Sequence, residues 1–323
     1  MTGEREDGKH RIVVGVDGSE GAQSALLWAA AEAMRRGEEL EVVNAWITVG
    51  ELGAARAVAD KAAKTASLIY PNLAVTSATP QEPAVQALVE ASAGEAMLVV
   101  GSRGLGGFRG LLLGSVSMQC VEHARGTVVV VRDHAGTASA DEKMADAAPI
   151  DAKATDAARA NQDVVVGVDG SPGSVLALRW AVEEAEHRTA PLLVVCAWQP
   201  TPLGGPVVLP ADGWQGATDE ILARAVEETH RLAPELTVET RGDFGAAVPT
   251  LLDAARGASL LVVGARGRGG FASMLLGSTG HAVVRHAPCP VAVVRPVDGR
   301  AGRPEVPVPV RADAADAVDA ADG

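Results

Sequence analysis

Gly101 to Ser115 reads GSRGLGGFRGLLLGS, and Gly264 to Ser278 reads GARGRGGFASMLLGS, the same pattern 163 positions on. Outward from this pair, toward the N-terminus, RIVVGVDGS (Arg11 to Ser19) matches DVVVGVDGS (Asp163 to Ser171), and Trp46 matches Trp198, both at an offset of 152. Self-similarity at a fixed spacing means that one structural unit has been written twice. The offsets differ by 11, so the second copy holds an insertion just after Trp198. Gln199 to Gln215, QPTPLGGPVVLPADGWQ, has the Pro and Gly content of a long surface loop.

Each copy alternates short β-branched runs with Ala-rich amphipathic stretches. In the first copy strands are expected over Arg11 to Val16, Leu40 to Ala45, Leu73 to Ser77, Ala96 to Gly101 and Thr127 to Arg132. Helices are expected over Glu20 to Arg36, Leu52 to Leu68, Glu82 to Ser92 and Ser115 to His123. In the second copy Ser171 before Pro172 marks a helix start, a hydroxyl cap followed by proline at the first helical position. Strands that are apolar at nearly every position and alternate with helices belong to a parallel sheet covered on both faces. The expected fold class is α/β, two tandem doubly wound parallel five-stranded sheets with helices on both faces. The domains are expected at 11–133 and 163–296. Between them, 134–162 lacks a sustained apolar face and reads as a linker. The N-terminus, 1–10, and the Pro-rich, then Ala- and Asp-rich acidic tail, 297–323, are expected to be disordered.

A chain of 323 residues with 47% hydrophobic side chains can bury two cores, and with aromatics at 3% those cores must be Ala, Val and Leu. Lys and Arg number 28 against 41 Asp and Glu, a net charge of −13 that repels phosphate backbones and argues against nucleic acid as a partner. A local site can still attract a small anion. MTGEREDGKH is neither a signal peptide nor an anchor, and no apolar run approaches the roughly 20 residues a bilayer needs. The expectation is a cytoplasmic protein without a membrane partner. Cys120, Cys196 and Cys289 lie far apart and read as structural thiols, and the seven histidines show no metal-ligating spacing.

The chemistry lies in the glycine pattern, Gly101-x-x-Gly104, nine residues, then Gly114-Ser115, and again Gly264-x-x-Gly267, nine residues, then Gly277-Ser278. A glycine-rich turn lets backbone N–H groups converge on an anion, and a helix opening at Ser115 or Ser278 adds free donors and the positive end of its dipole. Gly114 and Gly277 are expected to supply positive φ. No Lys precedes either serine, so this is not a P-loop. Gly267-x-Gly269-x-x-Ala272 mimics a dinucleotide fingerprint, but Arg109 takes the last position in the first copy and the loop follows the fourth strand, not the first.

On these motifs the sequence resembles the universal stress protein family in a tandem form. The strand ends VGVDGS and APCPVAVVR add to the likeness. The resemblance implies that each half holds ATP, with or without Mg2+, at the carboxyl ends of its strands. It implies that Asp17 and Asp169 contact the nucleoside, and that backbone groups at Ala45 and Ala197 read adenine. Phosphate would fall to Gly101, Gly104, Gly114 and Ser115, and to Gly264, Gly267, Gly277 and Ser278. Asp17 and Asp169 also read as turn residues that bond their own backbone ahead of a glycine. Arg103 and Arg266 can pair with phosphate oxygens or stand in solvent. The first copy departs from the second at Gly126-Thr127, where the second has Cys289-Pro290.

Three functions follow: an ATP-binding regulator of the stress response, a slow ATPase or autophosphorylating protein using Ser115, Ser117 or Ser278, and a nucleotide-independent scaffold. Hydrolysis needs a positioned base, and the signature loop holds no His or Glu. The runs Thr127 to Val131 and Val291 to Val294 end each copy as apolar edge strands, which invite pairing. An intramolecular pseudo-dimer through those strands is expected, with homodimerisation as a further option.

Overall fold

The computed structural model describes residues 11–48, 50–94, 97–105, 113–132, 163–198, 211–268 and 275–296. The expected disordered N-terminus, linker and acidic tail lie outside these residues. In the first half the elements are β1 (Arg11–Gly15), α1 (Glu20–Arg36), β2 (Glu39–Val43), α2 (Leu52–Ile69), β3 (Val75–Ala78), α3 (Ala84–Ala91), β4 (Met97–Gly101), α4 (Ser115–His123) and β5 (Val128–Val131). The second half repeats them as β6 (Val164–Gly167), α5 (Pro172–Arg188), β7 (Leu192–Trp198), α6 (Ala211–Leu232), β8 (Val238–Phe244), α7 (Ala247–Ala254), β9 (Leu260–Gly264), α8 (Ser278–His286) and β10 (Val291–Val294).

The strands form one sheet in the order β3-β2-β1-β4-β5-β10-β9-β6-β7-β8. Each half contributes five parallel strands, and β5 and β10 join them as an antiparallel pair, with Val128 opposite Val293, Val129 opposite Ala292 and Val130 opposite Val291. The two apolar strands ending the copies therefore cover each other's edge within one chain. The Gly126-Thr127 departure leaves this intact, because β5 meets β4 at Leu98↔Val128 as β10 meets β9 at Leu261↔Val291.

Alternation along each strand feeds two layers. Ile12 and Val14 pack beneath α1 and α2, and Val13 packs toward α3 and α4. Ala25, Ala29 and Ala33 are fully buried on α1, small side chains that bring the helix close to the sheet. At the junction of the halves, Glu32 and Glu184 are wholly buried between Arg36 and Arg188. Arg188 Nη2 lies 2.8 Å from Glu32 Oε2, and Arg35 adds a third guanidinium to Glu32 at 2.7 Å. Arg36 also covers the Trp180 ring at 5.3 Å, and Arg188 covers Trp28 at 5.4 Å.

Several boundaries differ from the sequence expectation. Pro83 sits at the N-cap of α3, so the helix begins at Ala84 and not at Glu82. Strand β2 ends at Val43, two residues short of Ala45, and β3 begins at Val75 instead of Leu73. The stretch expected as a loop, Gln199 to Gln215, is helical from Ala211 onward, and its residues 199–210 lie outside the described residues. The helix starts just after Pro210, a residue that stops helices internally and tolerates their first turn.

Candidate functional site

Within each half the sheet order reverses between the first and fourth strands, and a crevice opens there at the carboxyl ends of the strands. Its floor begins with the turn after β1. Gly18 (φ +87°) and Gly170 (φ +76°) adopt the left-handed backbone that turns the chain into α1 and α5. Ser19 and Ser171 then cap those helices, accepting from the N–H groups of Ala22 at 3.1 Å and Ser174 at 3.2 Å.

The aspartate before each glycine uses both oxygens. Asp17 Oδ1 accepts from Ser19 N at 2.9 Å, the turn bond, while Oδ2 reaches across to the glycine loop and accepts from Leu105 N at 2.8 Å. Asp169 repeats this with Ser171 N and Arg268 N, both at 2.9 Å. Burial alone would raise the Asp169 pKa, but the donors of Ser171, Arg268 and Ser174 outweigh it and hold the carboxyl below its ordinary value. The aspartates are thus turn residues that also clamp the loop.

The signature glycines answer to three different demands. A Cβ at Gly101 would lie 2.5 Å from the Gly21 carbonyl, and one at Gly264 would lie 2.6 Å from Gly173 O, so the first glycine lets the fourth strand approach the first helix. At Gly104 and Gly267 a Cβ would meet the clamping aspartate at 2.4 and 2.5 Å. Gly114 and Gly277 are the N-caps of α4 and α8 with φ −75° and −72°, which corrects the expectation of positive φ there. Their N–H groups donate to Ser102 O at 2.7 Å and Ala265 O at 2.8 Å. Neither cap supplies a side-chain acceptor, so Ser115 and Ser278 open helices whose first-turn donors lack a side-chain partner.

These pieces surround one cleft in each half. Asp17, Ala45, Gly101, Arg103, Gly104, Gly114 and Ser115 all line a cleft of about 450 Å³. Asp169, Ala197, Gly264, Arg266, Gly267, Gly277 and Ser278 all line its counterpart of about 500 Å³. Both volumes lie in the range of small-molecule sites. Leu88 and Leu251 form an apolar wall that sequence reasoning missed; each presses on the glycine ending β1 or β6, where a Cβ would meet it at 2.9 or 3.0 Å. Arg268 and Thr279 were also missed, although both stand inside or beside the quoted glycine pattern. Ser117 is buried and donates its hydroxyl to Gly101 O at 2.6 Å. Burial pushes the Cys120 and Cys289 thiols up to about 12, and Cys196 is raised by burial and by Asp169. Among the described residues no three His, Cys, Asp or Glu gather in a metal-binding group, and no helix is long and apolar enough to cross a membrane.

The family model for the universal stress protein family matches residues 9–132 and again 160–295. A universal stress protein of Mycobacterium tuberculosis is 33% identical over 321 residues, spanning 88% of this chain and 94% of the relative. One from Mycolicibacterium smegmatis is 30% identical over 306 residues, spanning 89% and 98%. Among solved structures, a universal stress protein from Archaeoglobus fulgidus superposes with a TM-score of 0.58 at 19% identity, covering 88% of this chain and 98% of that one. That likeness speaks to the fold. With the family's model matched in both halves and its relatives aligned along most of the chain, this protein belongs to the universal stress protein family, carrying the family's domain twice.

Proposed function

We propose that each half binds an adenine nucleotide and that the protein acts as a cytoplasmic nucleotide-binding regulator of the stress response. The observation that carries this reading is the convergence, in both clefts, of an uncapped helix N-terminus, a helix-opening serine and a loop arginine around one concave space. Gly114, Ser115 and Arg103, with Gly277, Ser278 and Arg266, would hold phosphate. Ala45 and Ala197, which line the clefts, would present backbone groups to adenine. A bound ATP, with or without Mg2+, supplies the negative charge that the donors lack; Asp17 and Asp169 keep the loop in place around it.

Regulation fits the residues better than catalysis. The described lining holds no His or Glu to serve as a base, and both oxygens of each aspartate are engaged by backbone N–H groups. Ser117, one of the hydroxyls considered for autophosphorylation, is buried and committed to Gly101 O. A scaffold that binds no nucleotide has no need of two loops held in the same geometry. Calorimetric titration of the full chain with ATP and Mg2+ tests the proposal. Saturable heat approaching two sites per chain is expected, and no heat up to millimolar ATP with folded protein overturns it.

A further inference from the structure

The fourth helix of each half starts at its own cleft and ends against the other half. Helix α4 opens at Ser115 on the first cleft, and the carbonyls at its far end, those of Val121, Glu122 and the C-cap Ala124, accept from Arg295, which follows β10. The same guanidinium donates through Nη2 to Leu275 O at 2.9 Å, in the glycine loop of the second half. One side chain thus holds the back of the helix that faces one cleft and the loop that belongs to the other. The reverse link is built alike. Helix α8 opens at Ser278 on the second cleft, and its Val284 and Arg285 carbonyls accept from Arg132, which follows β5. Each of these arginines also lies in the field of a cleft arginine. Burial lowers the Arg295 pKa and the charge of Arg266 lowers it further, against the pull of Glu122. Burial and then Arg103 do the same to Arg132, against Cys289.

Like charges oppose each other, and an anion placed against one of them offsets the repulsion. A phosphate held at Arg266 would therefore let Arg295 cap α4 more firmly, since a cation at a helix carboxyl end is stabilising. The better-held helix then offers its N-terminal donors to the first cleft with less ordering left to do. Arg103, Arg132 and α8 repeat the relay in the opposite direction. We propose that Arg132 and Arg295 are positioning residues that couple the two clefts, so that an anionic nucleotide in one half raises the affinity of the other. This rests on the nucleotide reading above. The chain would then respond over a narrower range of nucleotide concentration than two independent sites do.

The test titrates ATP into the full chain and follows hydrogen exchange in peptides covering 113–123 and 276–286, so that each half gives its own curve. Occupancy of one half is expected to raise the affinity of the other about fivefold, which makes both curves steeper than a single-site isotherm. Arg132→Ala combined with Arg295→Ala should return both curves to single-site shape with protection still reached at saturating ATP. A merely structural loss would move the midpoints and leave the steepness. Arg132→Lys with Arg295→Lys keeps the charge without the rigid fork and should give intermediate steepness; this pair carries the comparison if the alanine variant does not fold. Single-site or shallower curves in the unaltered protein, protection confined to one half, or unchanged steepness in every folded variant overturns the coupling. Protection in neither half up to millimolar ATP overturns the nucleotide reading itself.

Discussion

A methyl group on Gly104 would sit 2.4 Å from Asp17 Oδ2, whereas one on Gly114 would meet nothing nearer than 3.5 Å. The two glycines look equivalent in the sequence pattern, and their substitution should separate them. Gly104→Ala is expected to displace Asp17, release the Leu105 N–H and lower nucleotide affinity in the first half roughly tenfold, the worth of a lost charge-assisted hydrogen bond. Gly114→Ala, at φ −75°, should change affinity by less than about threefold. Calorimetry on both variants decides the point, and equal losses would contradict the division of roles. Spacing showed which glycines recur. It could not show that one faces a helix, one faces a carboxylate and one caps a helix, because that depends on what the fold brings opposite each Cα.

At the scale of elements, the informative contacts are the two arginines that end the last strands. Arg295, after β10, donates to the carbonyls of Val121, Glu122 and Ala124 at the carboxyl end of α4 in the other half, and to Leu275 O in its own glycine loop. Arg132, after β5, donates to Val284 O at 3.1 Å and to Arg285 O at the carboxyl end of α8. The last carbonyls of a helix have no partners within it, and a cation there also opposes the negative end of the dipole. Each half thus caps the other's fourth helix. Arg295→Ala should cost about 1–3 kcal/mol, read as a lower denaturant midpoint for the full chain, with partial recovery in Arg295→Lys. A midpoint unchanged by Arg295→Ala would remove the capping role. Elements themselves were largely legible, since α1 and α4 begin and end where the alternation of apolar strands and amphipathic stretches placed them. The start of α6 was not, because Pro, Gly and Trp around Ala211 read locally as loop.

Across the whole molecule, the junction holds two buried carboxylates and three guanidiniums, and their balance sets a pH dependence. Burial would raise Glu32, but Arg188 and Arg36 overcome it and hold the carboxyl at about 2. Glu184 is pushed up by burial and, against the pull of the arginines, by Glu32. The inequality comes from the contact between the two carboxyls themselves, which lowers Glu32 and raises Glu184. A carboxyl lowered in the folded state contributes stability above its ordinary value of 4.5 and loses it as pH falls toward about 2. A raised carboxyl does the reverse, so Glu184 weighs against folding as pH rises past 4.5. Glu32→Gln should therefore destabilise the chain by about 3 kcal/mol at neutral pH, the scale of breaking a buried pair, and by much less near pH 3. Glu184→Gln should cost less than Glu32→Gln at pH 7. Denaturant unfolding of both variants at the two pH values checks this, and a Glu32→Gln penalty independent of pH would refute it.

The duplication, the α/β alternation, the glycine signature and the family likeness could be read from the sequence alone, because each is set by local periodicity or by residue types at short fixed spacing. The single ten-stranded sheet, the arginines crossing between halves, the buried glutamate pair and the aspartate clamp on each loop were decided by tertiary structure. They join residues from 88 to 174 positions apart, and no local pattern states which distant backbone group or charge will face a given side chain once apolar burial has packed the two copies together.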